Sequence, residues 1–443
     1  MISRRALLGG GTGLMVASLA ARSSLASGRA PYGGSLVLHA PWPLASIDPH
    51  RIDDAAAALF GEALFETLYA HDAVGGIAPC LAEGDPEPDG TTLRVKLRTG
   101  VSFATGAALD ARAAATAIAR ARSHGAGAWL SETPPPRVEG NTLVFATQDA
   151  SRLTRALASP LVAVVSPRSS PQKPDGTGPF RARLDAGALV LTRNTLAAGG
   201  PALLDEIEIR RAADLVTSLR AFESGDDDVG WLGSFLHEPR QGARAFDAGA
   251  VAWAILRTGT EAGPLDAPGM AQALADAVPH AALAPLVVGA PWPSGAAHWT
   301  GTPCDLLVRD DSPWLVEVAR AVAVALSSPA HEVTPRPVPS AELARRRATR
   351  AFSVLLDVAR PASPHGLGAL LGLATADDPA SAAALLRHPP RGDIVPRTAT
   401  RTMRVGVVGE VRLQGGRASD VVLPTSTGGT GVDWGSASRT RRS

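Results

Sequence analysis

The stretch from Gly176 to Asp228 constrains the fold more than any other part of the chain. A Gly-Thr-Gly-Pro-Phe turn at Gly176 to Phe180 leads into the alternating run Ala188 to Thr192, which reads as a strand. Arg193 and Asn194 follow, then a Gly-Gly-Pro loop at Gly199 to Pro201. In the next run, Leu204 to Arg210, Ile207 and Ile209 fall on one face and Glu206 and Glu208 on the other, the period of a half-buried strand. Leu215, Leu219 and Phe222 then recur at helical spacing between Asp214 and Ser224, and Gly225 is placed to end that helix. Strand, loop, strand and helix in this order predict a unit of an α/β domain. With 443 residues, 45% hydrophobic and 19% charged, the chain is long enough for two or three such domains around buried cores.

Composition and motifs argue against several function classes. The formal net charge is +1, the arginines are scattered, and only Lys96 and Lys173 are lysines, so no electrostatic footprint for nucleic acid is present. Ten histidines occur without metal-ligand spacing to another His, Cys or carboxylate cluster, so no metal site is expected. There is no Gly-x-Ser-x-Gly elbow, and the glycines at Gly176 lack the strand-before, helix-after setting of a dinucleotide loop. Neither an enzyme activity nor a cofactor is expected.

Residues 1–26 read as an export signal. Arg4 and Arg5 are followed by the apolar run Ala6 to Ala21 and the small-x-small site Ser24, Leu25, Ala26. That run is shorter than the roughly 20 residues needed to span a bilayer, so a soluble, exported mature protein is expected. Both a twin-arginine and an ordinary secretory signal fit. Cys80 and Cys304 are the only cysteines, and two free, mostly buried thiols are expected.

The central stretch resembles the extracellular solute-binding proteins of family five, the peptide and nickel receptors of ABC importers. The resemblance rests on the Gly176–Phe180 turn, Arg193 and Asn194, the Leu204–Ile207 strand, and the helix closing at Ser224 and Gly225 before Asp228 and Val229. It extends over about residues 34 to 415, strongly to Asp228 and weakly beyond. Thr195 stands where the family has Pro, and Leu196 and Ala197 where it has Tyr-Trp.

The resemblance implies an α/β, two-lobed periplasmic binding protein of the class II, cluster C type, with mixed sheets and a small extra domain. Lobe I would take residues 34–52, 155–240 and 400–424, the accessory domain 53–154, and lobe II 245–399. Residues 425–443, rich in Gly and Ser and closing on arginines, are expected to be a disordered tail. By the same resemblance Trp42, Pro43 and Leu44 face ligand beside the Ile47-Asp48-Pro49-His50 signature, and Trp129, Trp231 and Arg360 are further ligand-site candidates. Partners implied are a small-molecule solute and an ABC permease complex at the inner membrane, with no nucleic acid and a monomeric receptor. A non-transport sensory or assembly protein on the same scaffold is the alternative.

Three local expectations follow from residue chemistry. Asp48 is placed to cap the helix after it. Arg345, Arg346, Arg347 and Arg350 read as a solvated helix face. Peptide receptors of the family carry an Asp just beyond the strand matching Phe352 to Val358, but here the sequence gives Asp357 inside the strand and Arg360 after it. An unpaired buried ammonium costs several kcal/mol, so an ordinary free peptide does not suit this chain. An anionic, neutral or large apolar ligand is expected.

Overall fold

The computed structural model describes residues 32–440 apart from 41, 45, 73–75, 186, 232–239, 287, 290–297, 364–365, 389–398 and 427–430. The segment 1–26 expected to be an export signal lies outside the described residues, as does most of the stretch after Gly289.

Alternation in the sequence becomes alternation of burial in the structure. Strand β1 (Ser35–Ala40) buries Leu36, Leu38 and Ala40 at every second position. Strands β3 (Ala188–Arg193) and β4 (Glu206–Arg211) are the two read from the central stretch, and a strand not read from the sequence, β2 (Phe180–Asp185), precedes them, β2 and β4 each antiparallel to β3. β4 runs parallel to β1 in a register that sets Ile207 beside Leu36 and Ile209 beside Leu38, so the apolar faces coincide. The helix after them, Leu215–Ser224, is capped by the Asp214 carboxylate on the Thr217 amide and stopped by Gly225 at φ 91°.

The remaining strands of this sheet are β5 (Val229–Trp231), β6 (Arg244–Thr258), β7 (Cys304–Arg309), β8 (Val333–Val338), β9 (Val354–Ala359) and β10 (Val405–Arg417). Their order is β8-β7-β9-β6-β10-β5-β1-β4-β3-β2, with a short strand at Val288–Gly289 also pairing β10. The sheet is mixed: β7 is parallel to β8 and β9, while β6 is antiparallel to β9 and β10.

Two long strands join the halves of this sheet. At one end β6 and β10 meet through Arg244 and Arg417, and Arg417 also pairs Val229 of β5. At the other end Trp253 to Thr258 of β6 pair Ala359 to Val354 of β9. Register shifts interrupt the ladder between Asp247 and Ala250 and again to Ala252, with Gly249 at φ 78°, a conformation side-chain-bearing residues rarely adopt. At Gly415 any Cβ would lie 1.9 Å from the Gly230 carbonyl oxygen, so only glycine lets β10 approach β5.

A second, four-stranded sheet lies within residues 87–145, in the order 87–89, 92–96, 142–145, 137–139. It carries a helix, Ala111–Arg122, whose first turn is capped by Asp110 on the Ala113 amide at 2.7 Å.

Helix α1 (Ala55–Leu64) begins differently from the expectation. Its cap is Asp54, which accepts from the Ala57 amide at 2.8 Å. Asp48 instead accepts a bidentate pair from Arg120 at 2.9 and 2.7 Å, because the 48–53 segment turns once more before the helix starts.

The tail also departs from the expectation. Trp434 is 1% exposed, its ring 5.4 Å from that of Phe60 and its indole N–H donating to the Leu59 carbonyl. Ser438–Arg439 pairs with Val421–Val422, and Arg439 binds Asp420, Asp228 and the Ser35 carbonyl. One tryptophan among many small polar residues is enough to anchor the segment, since its large apolar ring finds a partner on α1.

The helix Ser340–Thr349 is not uniformly solvated. Arg346 pairs Glu342 on its own helix, Arg350 pairs Asp266, and Arg347 is turned inward with 16% of its side chain exposed. Cys80 and Cys304 are free and half-buried, and burial holds both thiols up, to about 12 and about 11.

Candidate functional site

Strand β9 is buried along its whole length and ends at Ala359. Its direction carries Arg360 out of the second half of the sheet and under the segment that precedes α1. The Arg360 amide donates to the Ile52 carbonyl at 2.8 Å, and Nη1 lies 3.3 Å from the carbonyl oxygens of Pro49 and Arg51. The Ser159 hydroxyl reaches the Ala362 carbonyl beside it.

A cavity of about 160 Å³ opens where these pieces meet. Arg360, Glu62, Glu66, His71, Cys80 and Ser426 supply its polar wall, and Phe65 and Pro160 part of its apolar one. A smaller lobe of about 50 Å³ shares Glu62, Pro160 and Arg360. The site is therefore assembled from α1 and the residues after it, the strand at Tyr69–His71, Cys80 just beyond the strand Ile77–Pro79, the 158–163 turn, the tail, and one arginine from the opposite half.

Helix α1 brings Glu62 to this wall, and the extended residues just beyond its C-cap at Phe65 bring Glu66. Gly61, Ala63 and Leu64 are buried, while Glu62 is the exposed member of that turn and lines the cavity. Ser426 donates to Glu62 at 2.7 Å, and Thr177 of the Gly-Thr-Gly-Pro turn donates to Glu66 at 2.7 Å. Surrounding protein raises the pKa of both carboxyls, against the pull of Ser426 and Arg360 on Glu62 and of Thr177 and Arg98 on Glu66. Burial lowers that of the Arg360 guanidinium, against the attraction of Asp54 and Glu62. The Cys80 thiol stays protonated at neutral pH, raised by burial and by Glu66. A site of this kind holds fixed charges in a shaped space and offers no activated nucleophile.

A larger crevice of about 730 Å³ lies on the far side of the 51–53 segment. Of its five arginines, Arg51, Arg347, Arg350 and Arg404 are paired with Asp53, Asp357 or Asp266, while Arg257 lies over the Phe352 ring and makes no ion pair among the described residues.

Residues 76–304, more than half of the chain, match the family described as bacterial extracellular solute-binding proteins, family 5 Middle. The chain belongs to this family. Its fold is that of solved two-lobed binding proteins. Staphylococcus aureus NikA in complex with Ni(L-His)2 is similar over 91% of this chain and 100% of its own, with a TM-score of 0.65 at 16% identity. Bacillus subtilis AppA in complex with a nonapeptide gives 93% and 100%, 0.70 and 13%. AgaA from A. tumefaciens R10, in complex with agropinic acid, gives 93% and 99%, 0.67 and 15%. At these identities the likeness is one of fold. No curated protein matches the sequence. Family and fold are those of binding proteins rather than enzymes and support the substrate-binding role of an ABC importer. Family members are extracellular or periplasmic, and no described helix is long and apolar enough to cross a membrane.

The structure separates the residues nominated from sequence. Trp42 and Trp231 come together, each 1% exposed, with ring centroids 5.1 Å apart at 74°, and Trp314 and Phe246 extend the cluster. Leu44 is 5% exposed, and Pro43 lines a crevice of about 290 Å³ with Gln172 and Arg309. Trp129 is 6% exposed, donates to the Ala156 carbonyl at 3.0 Å and borders a separate hollow with Leu367 and Leu386. Of the six, Arg360 stands on the cavity between the halves. Glu62, Glu66 and Ser426 were not nominated. The available signal was a pair of carboxylates four apart in the otherwise apolar run from Ala55 to Tyr69.

Proposed function

We propose that this protein is the exported receptor of an ABC importer, capturing a small solute in the cavity at Arg360 and passing it to a membrane permease. The observation that carries the reading is that one buried arginine, from the second half of the sheet, closes a polar cavity built by the first half. A ligand there touches both halves, and a ligand shifts an opening equilibrium only through contacts it makes better in one state. The long strands β6 and β10, with their irregular ladder at Asp247 to Ala252, are suited to act as the hinge.

On this reading lobe I comprises residues 34–52, 155–240 and 400–424, the accessory domain 53–154, and lobe II 245–399. The protein works as a monomer, is made with a cleaved signal of residues 1–26, has no catalytic activity and holds no cofactor. A cavity of about 160 Å³ is below the roughly 300–1,000 Å³ of drug-sized sites and supports a solute smaller than an oligopeptide.

The test is small-angle scattering on the mature protein with and without small metabolites. The radius of gyration should fall when a bound solute is added. If it is unchanged by every solute tried, and none raises the melting temperature, the transport role gives way to a sensory or assembly protein on the same scaffold.

A further inference from the structure

The cavity holds two charges of opposite sign that do not meet. Arg360 is 5% exposed, yet the partners of its Nη1 are two main-chain carbonyls at 3.3 Å, and among the described residues no carboxylate pairs with it. A guanidinium placed so deep is more stable with an anion in hydrogen-bond reach than with carbonyls there and the carboxylates of Asp54 and Glu62 only at longer range. Glu62, which lines the same cavity, accepts from the Ser426 hydroxyl at 2.7 Å and pairs with no arginine, lysine or histidine among the described residues. Glu66 is better provided for: it takes the Thr177 hydroxyl and the Gly199 amide, with Arg98 nearby. Arg360 and Glu62 are thus the two unspent charges, with the cavity between them.

We propose that the solute is a compact zwitterion, its anionic group held by Arg360 and its cationic group by Glu62. This rests on the receptor reading above and narrows it to a charge class. A molecule carrying both charges neutralises both walls at once and brings no net charge into the cavity. A simple anion satisfies Arg360 but faces the carboxylates of Glu62 and Glu66. A simple cation satisfies Glu62 but leaves the buried guanidinium without an anion. The space admits something the size of a single amino acid, which excludes the spread of charges in a longer peptide. The ammonium partner that the family resemblance expects after β9 is absent there, and Glu62 of α1 lines the cavity instead.

The experiment is isothermal titration of the mature protein, freed of carried-over ligand by unfolding and refolding, with four probes of similar size: alanine, 4-aminobutyrate, butyrate and butylamine. At least one of the two zwitterions should bind, about 10- to 100-fold more tightly than butyrate or butylamine, the worth of one charge-assisted hydrogen bond. Glu62→Gln, isosteric and facing the cavity, should weaken the zwitterion by a similar factor and narrow its lead over butyrate. The selectivity of the unmodified protein is an independent readout should that variant misfold. Butyrate binding as tightly as the zwitterions, unaffected by Glu62→Gln, overturns the charge assignment and leaves the receptor reading intact. No binding by any probe overturns the proposal, and if scattering also shows no compaction with any solute the receptor reading goes with it.

Discussion

Arg347 and Asp53 form an ion pair across the two halves of the chain, although 294 positions separate them. The other side of the same guanidinium donates to Asp357 of β9 at 2.7 Å. Arg51 chelates Asp53 from within its own segment at 2.9 and 2.7 Å. Burial pushes the Asp53 carboxyl up, but the Arg51 hydrogen bonds and the Arg347 charge outweigh it and hold the pKa well below the usual carboxylate range. Among the described residues Asp357 has Arg347 alone as its ion-pair partner, and there burial wins and raises it. Together with Arg360 on the Pro49, Arg51 and Ile52 carbonyls, this pair makes the 49–53 segment the place where the second half grips the first.

Arg347→Ala should therefore lower unfolding stability by about 3 to 5 kcal/mol, the usual result of removing one partner from a buried ion pair. Urea denaturation gives the number. The Asp53→Asn variant should lose less, because Asn retains a hydrogen-bond acceptor for Arg51 and no buried anion is stranded. A loss below about 1 kcal/mol for Arg347→Ala would place the pair among solvated surface bridges instead.

His50 makes the stability depend on pH. It is fully buried, donates Nε2–H to the Ala163 carbonyl at 2.8 Å and has Nδ1 2.6 Å from Nη1 of Arg120. Since the guanidinium can only donate, Nδ1 must accept, which requires the neutral ring. Burial and the Arg120 charge lower its pKa from 6.5 to about 4, against the Ala163 hydrogen bond and Asp48. A depressed histidine contributes stability that is fully present above 6.5 and is lost as pH falls towards 4, by about 3 kcal/mol in all. Asp54, raised by burial to about 6, runs the other way and loses its contribution as pH rises through that value. The difference between wild type and His50→Gln, followed by urea denaturation from pH 7 to 4.5, isolates the histidine. A flat difference, or an NMR titration of His50 with its midpoint near 6.5, would contradict this account.

Trp42→Ala should cost about 3 to 5 kcal/mol, because its ring is sealed between Trp231 and Trp314 in edge-on geometry and truncation leaves a cavity. Solute affinity should change far less than in Glu62→Gln. The reverse order, a mild stability loss with a large affinity loss, would return Trp42 to the ligand site.

Removing residues 425–443 should destabilise the protein by about as much as Trp434→Ala, about 3 to 5 kcal/mol. It should also speed proteolysis near α1, since Trp434 covers Phe60 and Ser426 holds Glu62. Equal melting temperatures for the full and shortened chains would show the tail to be dispensable.

The sequence by itself determined the local units. The strand pair and helix from Ala188 to Ser224, the caps at Asp110 and Asp214 and the stop at Gly225 all depend on side chains within a few positions, so their pattern survives in one dimension. The family was legible for the same reason, as an ordered series of such units. Tertiary structure alone decided the site. Asp48 looked like a cap because nothing in the sequence places Arg120 beside it, and Trp42 looked like a ligand contact because nothing places Trp231 and Trp314 around it. Arg360 reaches Pro49 over 311 positions, and Glu62 meets Ser426 over 364. Contacts at such separations are fixed by how the sheet closes on α1, and a charge is spent or unspent only once that packing has settled its neighbours.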